Sequence, residues 1–221
     1  MKRILFALLA AALCLSSCME TKNILYRGSM FATVKSVGVV HGDDGRNYYF
    51  TNFSNYEKDF PGEGRVLVVF DAISLRSGND TDYDAELLSY FVPLCKEPVE
   101  CKTPEEKAAL GDDPVRMTDG NWGGGHLNML CSAYLRMDSK VQHLINLEIV
   151  PGDNADTLHT VLRHNAGEDK VTDENSEFFS DYPFYASFPL ADKIPEGKTI
   201  VLEIKWFWDN EWHVVYADIK K

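Results

Sequence analysis

Hydrophobic and polar positions alternate along most of the C-terminal half of this chain with the two-residue period of β-strands. Leu127, Met129, Cys131, Ala133 and Leu135 would share one strand face, as would His143, Ile145, Leu147 and Ile149 on the next strand. Leu158, Thr160, Leu162 and His164, then Phe184, Ala186, Phe188 and Leu190, then Ile200, Leu202, Ile204 and Trp206 continue the series. WHVVYADI supplies a last strand. About six such strands with turn residues between them predict an antiparallel β-sandwich.

From residue 28 to about residue 94 the pattern changes. GSMFATVKSVGVV, RNYYFTNF, GRVLVVFDAISLR and DAELLSYFVPL are rich in β-branched and aromatic residues, and HGDDGR and PGEG supply turns. RVLVVFDAI and LLSYFVPL are apolar on both faces, which suits a closed or covered small barrel better than an open sheet. Between the two regions one short helix is predicted. Thr103 caps it, Pro104 fits its first turn, Glu105 and Glu106 favour the positive end of its dipole, and Gly111 ends it. No internal repeat and no low-complexity tract interrupts this order.

The first residues change the picture. MKRILFALLAAALCLSSC has a cationic start at Lys2 and Arg3 and an apolar run from Ile4 to Leu15, shorter than the roughly 20 residues a spanning helix needs. Leu15, Ser16 and Ser17 before Cys18 look like a lipobox, so Cys18 is expected to carry a diacylglycerol and become the mature N-terminus. The competing reading is an ordinary signal peptide cut near Cys18. No Asp follows Cys18 directly, of the kind that resembles inner-membrane retention, so an outer-membrane lipoprotein is expected, with its periplasmic or cell-surface side left open.

The formal charge of −12 disfavours nucleic acid as a partner, because polyphosphate binding relies on clustered Lys and Arg. Of the five cysteines, Cys14 and Cys18 belong to the leader and its lipid site. In an oxidising compartment Cys95 and Cys101 either form a disulfide or remain two free thiols, and Cys131 is expected in the core.

LSSC, LGDDPVRM, GGGHLNML, QHLINLEIV and LRHNAGED, in that order, resemble the NigD-like lipoproteins of Bacteroidota. The resemblance implies an OB-fold-like barrel followed by a β-sandwich, and the family's association with a bacteriocin gene cluster implies an immunity or accessory role. It brings no catalytic residues. The acidic loop AGEDKVTDENSEFFSDYP departs most from the family pattern. The expected division is a leader at 1–17, a lipidated tether at 18–27, an OB-like barrel at 28–98, a linker with the short helix at 99–120 and the sandwich at 121–221. The fold class is all-β.

Candidate chemistry centres on LRHNAGED. Leu162 and His164 should face the sandwich core while Arg163 faces away, with Asn165, Ala166 and Gly167 in a turn. His143 and His164 on facing strand ends would share a metal with Asp169, or else each ring would bond a backbone carbonyl or an acid and pack at the sandwich end. His159, an odd separation from His164, faces the other way. The chain has no GxSxG elbow, HExxH helix or phosphate loop. Asp43 with Asp44, and Asp112 with Asp113, read as turn residues.

The glycines of WGGGH, residues 122–126, permit a bulge or a close approach by a neighbour or ligand. Trp122 is either a sugar-stacking platform or the closure of a domain interface. Trp206 and Trp208 should cover the core, with Asp209 and Asn210 turning the hairpin before Trp212. Tyr48, Tyr49, Phe50 and Phe53 on the barrel complete a candidate glycan surface. The expected protein is a non-enzymatic envelope module without cofactor, held to the membrane by lipid on Cys18 and binding a protein or glycan. The competing class is a metal-dependent or glycan-processing enzyme using His143 and His164.

Overall fold

The computed structural model describes residues 23–76, 78–136, 138–172 and 175–220. Cys18 and the leader lie outside the described residues. Among the described residues no helix is long and apolar enough to cross a membrane.

Five strands, β1 (Tyr26–Ser36), β2 (Val39–Gly42), β3 (Asn47–Phe50), β4 (Arg65–Leu75) and β5 (Asp82–Phe91), close a barrel in the order β1-β2-β3-β5-β4. This is the order of an OB barrel, with β3 and β5 parallel and the other neighbours antiparallel. Register shifts between Val34 and Ser36 and at two points of β4 supply the bends that closure requires. Val66, Val68, Phe70 and Ala72 of β4 point into the barrel core with Val40, Tyr48 and Leu87. The opposite face of β4 is also covered, with Arg65, Leu67 and Asp71 buried. That is why RVLVVFDAI reads as apolar on both sides.

The rest of the chain builds two four-stranded sheets. One runs β13 (Glu211–Lys220), β12 (Thr199–Trp208), β10 (Thr157–Asn165), β9 (Leu144–Val150). The other runs β6 (Leu94–Cys95), β11 (Phe179–Pro189), β8 (His126–Arg136), β7 (Val115–Gly123). Pairing is antiparallel except for β10 with β12 and β6 with β11. The inward faces meet in one core that includes Leu127, Met129, Cys131, Leu147, Leu162, Phe188, Leu202 and Ile204, as the alternation predicts.

Helix α1 (Pro104–Leu110) starts with the expected capping box. The Thr103 hydroxyl accepts from the Glu106 N–H at 3.2 Å, and the Glu106 carboxylate accepts from the Thr103 N–H at 3.3 Å. The segment around it is part of the sandwich rather than a free connection. Val99 exchanges backbone hydrogen bonds of 2.8 Å with Leu147 and Ile149 of β9, and β7 begins at Val115. Strand β7 escapes the alternation because a register shift between Met117 and Asp119 breaks its period. Cys95, Cys101 and Cys131 are free thiols, exposed, half-buried and buried respectively.

Candidate functional site

The barrel and sandwich are joined by a buried polar cluster. Arg65, first residue of β4, is 4% exposed. Its guanidinium donates to both oxygens of Asp43, at 2.7 and 2.6 Å, and to Thr33 Oγ1 at 3.0 Å within the barrel. It also reaches across to Asn128 Oδ1 on β8 at 3.0 Å. Asn128 returns an amide hydrogen bond of 2.8 Å to Asp43 Oδ2, donates to Asn121 Oδ1 at 3.0 Å, and accepts from the Ser187 hydroxyl at 2.8 Å. A bidentate Arg–carboxylate pair is the geometry in which a desolvated ion pair is best compensated. Asp43 sits in the β2–β3 turn as expected, yet its side chain bridges two domains.

This explains the glycines of WGGGH. A Cβ on Gly123 would lie 2.6 Å from that of Asp43, and one on Gly124 would collide with the Asp43 carboxylate. Gly124 also has φ +58°, backbone that favours glycine. For Gly123 and Gly124 the neighbour is therefore the barrel itself, while Gly125, at φ +79°, lies against Ala191 of the sandwich.

His143, His164 and Asp169 do come together. His164 Nδ1 lies 2.8 Å from the Pro114 carbonyl, and His164 Nε2 lies 2.9 Å from His143 Nδ1. A carbonyl only accepts, so Nδ1 of His164 carries a proton; with His164 neutral, its Nε2 accepts from His143 Nδ1–H. His143 Nε2 then faces Asp169 Oδ2 at 3.5 Å, and that buried oxygen has no hydrogen-bond partner among the described residues. Burial holds the His164 pKa below its ordinary value, and the neighbouring His143 adds to the effect, against the raising influence of the Pro114 carbonyl and Asp113. The facing nitrogens of the two rings bond each other, so they do not converge as lone pairs on one ion. Among the described residues no group of three or more His, Cys, Asp or Glu is arranged to hold a metal. Arg163 points away from the core, but beneath the segment that carries α1. There it pairs with Glu148, at 2.5 Å from Nη2, and with Asp112. His159 is on that same outer face, 3.1 Å from Glu203.

The aromatic candidates do not form one surface. Tyr48 alternates inward on β3 and is fully buried, its ring stacked on Tyr83 and its hydroxyl donating to Asp44 at 2.7 Å, so it leaves the candidate surface. Burial pushes its phenol pKa up. Tyr49, one residue on, points out and carries the Arg76 guanidinium 3.9 Å above its ring. With Phe53, which packs on the barrel core, it lines a shallow 410 Å³ hollow. Trp122 belongs elsewhere. It lines a 420 Å³ groove between the two sandwich sheets, with Leu202, Ile204, Trp206 and Val215, and its indole donates to the Lys220 carbonyl at 2.9 Å. It closes the sandwich rather than the barrel interface. Trp208 is buried and stacked on Tyr134, and Asp209 and Asn210, both with positive φ, turn the hairpin as the sequence indicates. The polar junction was not among the sequence candidates. The only signal for it was the glycine run.

The model of the NigD-like C-terminal beta sandwich domain matches residues 98–216, more than half of the chain. Among solved structures, a protein of unknown function from Bacteroides vulgatus superposes with a TM-score of 0.70 at 18% identity, covering 89% of this chain and 92% of that one. A protein described as toxin-related, from Parabacteroides distasonis, gives 0.67 at 19% identity over 88% and 94%. A NigD-like immunity protein from Bacteroides caccae gives 0.59 at 19% identity over 86% and 91%. No curated protein matches. At these identities the solved structures share the fold, while the domain match shows the kinship: the chain belongs to the NigD-like family.

Proposed function

We propose that this protein is a non-enzymatic accessory module of the cell envelope, immunity-like in kind, tethered to the outer membrane by lipid on Cys18 and binding a protein or glycan. The observation that carries the reading is the direction of its buried polar groups. Arg65, Asp43 and Asn128 bond across the two domains, and His164 bonds Pro114 and His143. The first set ties the barrel to the sandwich and the second braces the sandwich itself, and preorganisation of this kind favours a binding platform. The lipobox LSSC supports the tether, and the immunity description of the Bacteroides caccae neighbour supports the accessory role.

The test is quantitative crosslinking in intact cells of the native chain against a Cys18→Ala version. The expected result is a reproducible envelope partner recovered with the native chain and lost with the unanchored one. Equal recovery with both versions, or turnover of a glycan by the purified protein, would overturn the proposal.

A further inference from the structure

Three edges of the sandwich are short, covered or broken. The main chain of Val99 bonds β9, β6 has two residues, and β7 carries a register shift between Met117 and Asp119. Strand β13 is different. It is ten residues long, it is the end strand of its sheet, and β12 is its sole neighbour there among the described residues.

The hydrogen-bond parity of this edge follows from its neighbour. The Val201 N–H bonds the Asp156 carbonyl at 2.8 Å, and the Glu203 carbonyl accepts from Thr160 Oγ1 at 2.8 Å, so odd-numbered residues of β12 turn their backbone groups toward β10. Even-numbered residues of β12 therefore serve β13, where their opposite residues are odd-numbered. The N–H and C=O groups of Trp212, Val214, Tyr216 and Asp218 consequently point outward. The Lys220 carbonyl, next in that row, is the one that the Trp122 indole meets. On the same strand Trp212, Val214 and Tyr216 are 50%, 45% and 59% exposed. A long edge with free backbone groups and exposed apolar side chains is a template for another strand.

We propose that the occupant is a second copy of this chain, its β13 paired antiparallel with the first about a two-fold axis at Val215. Charge favours an antiparallel overlay, which sets Asp209, in the turn before one strand, beside the basic end of the other at Lys220, with Glu211 opposite Ile219 on the other face, whereas an in-register parallel overlay would set Lys220 against Lys220. In this register Val214 lies opposite Tyr216 of the second copy and Trp212 opposite its Asp218, so every outward residue meets an outward residue. A β-branched residue opposite an aromatic one is a favourable cross-strand pair. The added strand also covers the mouth of the 420 Å³ groove, which opens between β7 and β13 beside Val215, Ala217 and Ile219. The product is a continuous sheet of eight strands with an isologous interface.

Disulfide trapping tests it in the membranes of cells expressing the full-length chain. Cys95→Ser and Cys101→Ser remove the accessible described thiols, and Val215→Cys sets one thiol on the axis beside its copy. The expected result is a reducible species of twice the single-chain mass, 25.0 kDa for the full chain, lost when Val214→Pro removes an outward N–H. No such species, the same yield with Val214→Pro, the same species without the cysteine at position 215, or an adduct with a protein of another mass would each overturn the proposal, the last in favour of a foreign strand. Light scattering of the unsubstituted chain in detergent guards against a folding defect in the variant: a dimer is expected, and a monomer at every concentration contradicts the pairing.

Discussion

Asp43 stands two residues from a turn glycine, and its carboxylate ends against the other domain. Removing it would leave the Arg65 guanidinium buried and unpaired, so Asp43→Ala should cost about 3–5 kcal/mol in urea unfolding. Gly124→Ala should cost about 1–2 kcal/mol for the left-handed backbone alone, with displacement of Asp43 added. His164 sets a pH dependence. Its folded pKa lies below its unfolded value, so the unfolded state takes up the proton first as pH falls. The stability it contributes is full above about pH 6.5, the ordinary value, and is lost as pH falls through the folded pKa. Urea midpoints measured from pH 8 down to pH 5 should therefore decline, and His164→Phe should flatten that decline. A variant with the same slope would show that another group sets it. At this scale the sequence was partly legible. Alternation placed His164 inward and Arg163 outward, but the proline carbonyl that fixes the histidine tautomer and the asparagine that receives Arg65 are 50 and 63 residues away.

Strands and caps were read more completely than contacts, because their causes are local. The capping box of α1 lies within four residues, and Thr103→Ala should lower stability by about 1 kcal/mol without changing the fold, checked by denaturant unfolding and circular dichroism. The alternating faces of β8 to β12 follow from a pleat of period two, and the core residues match them. What failed to show were β6 and β7. Two residues have no readable period, and the register shift in β7 moves its side chains out of phase partway along. The same pleat explains Tyr48 and Tyr49. Both looked like surface aromatics, but neighbours in a strand point to opposite sides, and the closure of the barrel decides which side is inside.

At the scale of the whole molecule, an acidic barrel and sandwich are held together by the Asp43–Arg65–Asn128 cluster and by Phe31 and Phe91 packed on Tyr185, rather than by a linker alone. If lipid on Cys18 is the tether, Cys18→Ala should move the protein from the membrane fraction to the soluble fraction on cell fractionation, since no other signal in the chain supplies the acyl methylenes. The central claim is that the two domains behave as one body through Asp43, Arg65 and Asn128. All four tryptophans, Trp122, Trp206, Trp208 and Trp212, lie in the sandwich, so their fluorescence reports that domain by itself. The direct measurement is urea unfolding followed by this fluorescence together with hydrogen exchange of barrel peptides from β1 to β5. Coincident transitions in the native chain, separating in Asp43→Ala, are predicted; a barrel that opens at lower urea than the sandwich in the native chain would contradict the claim.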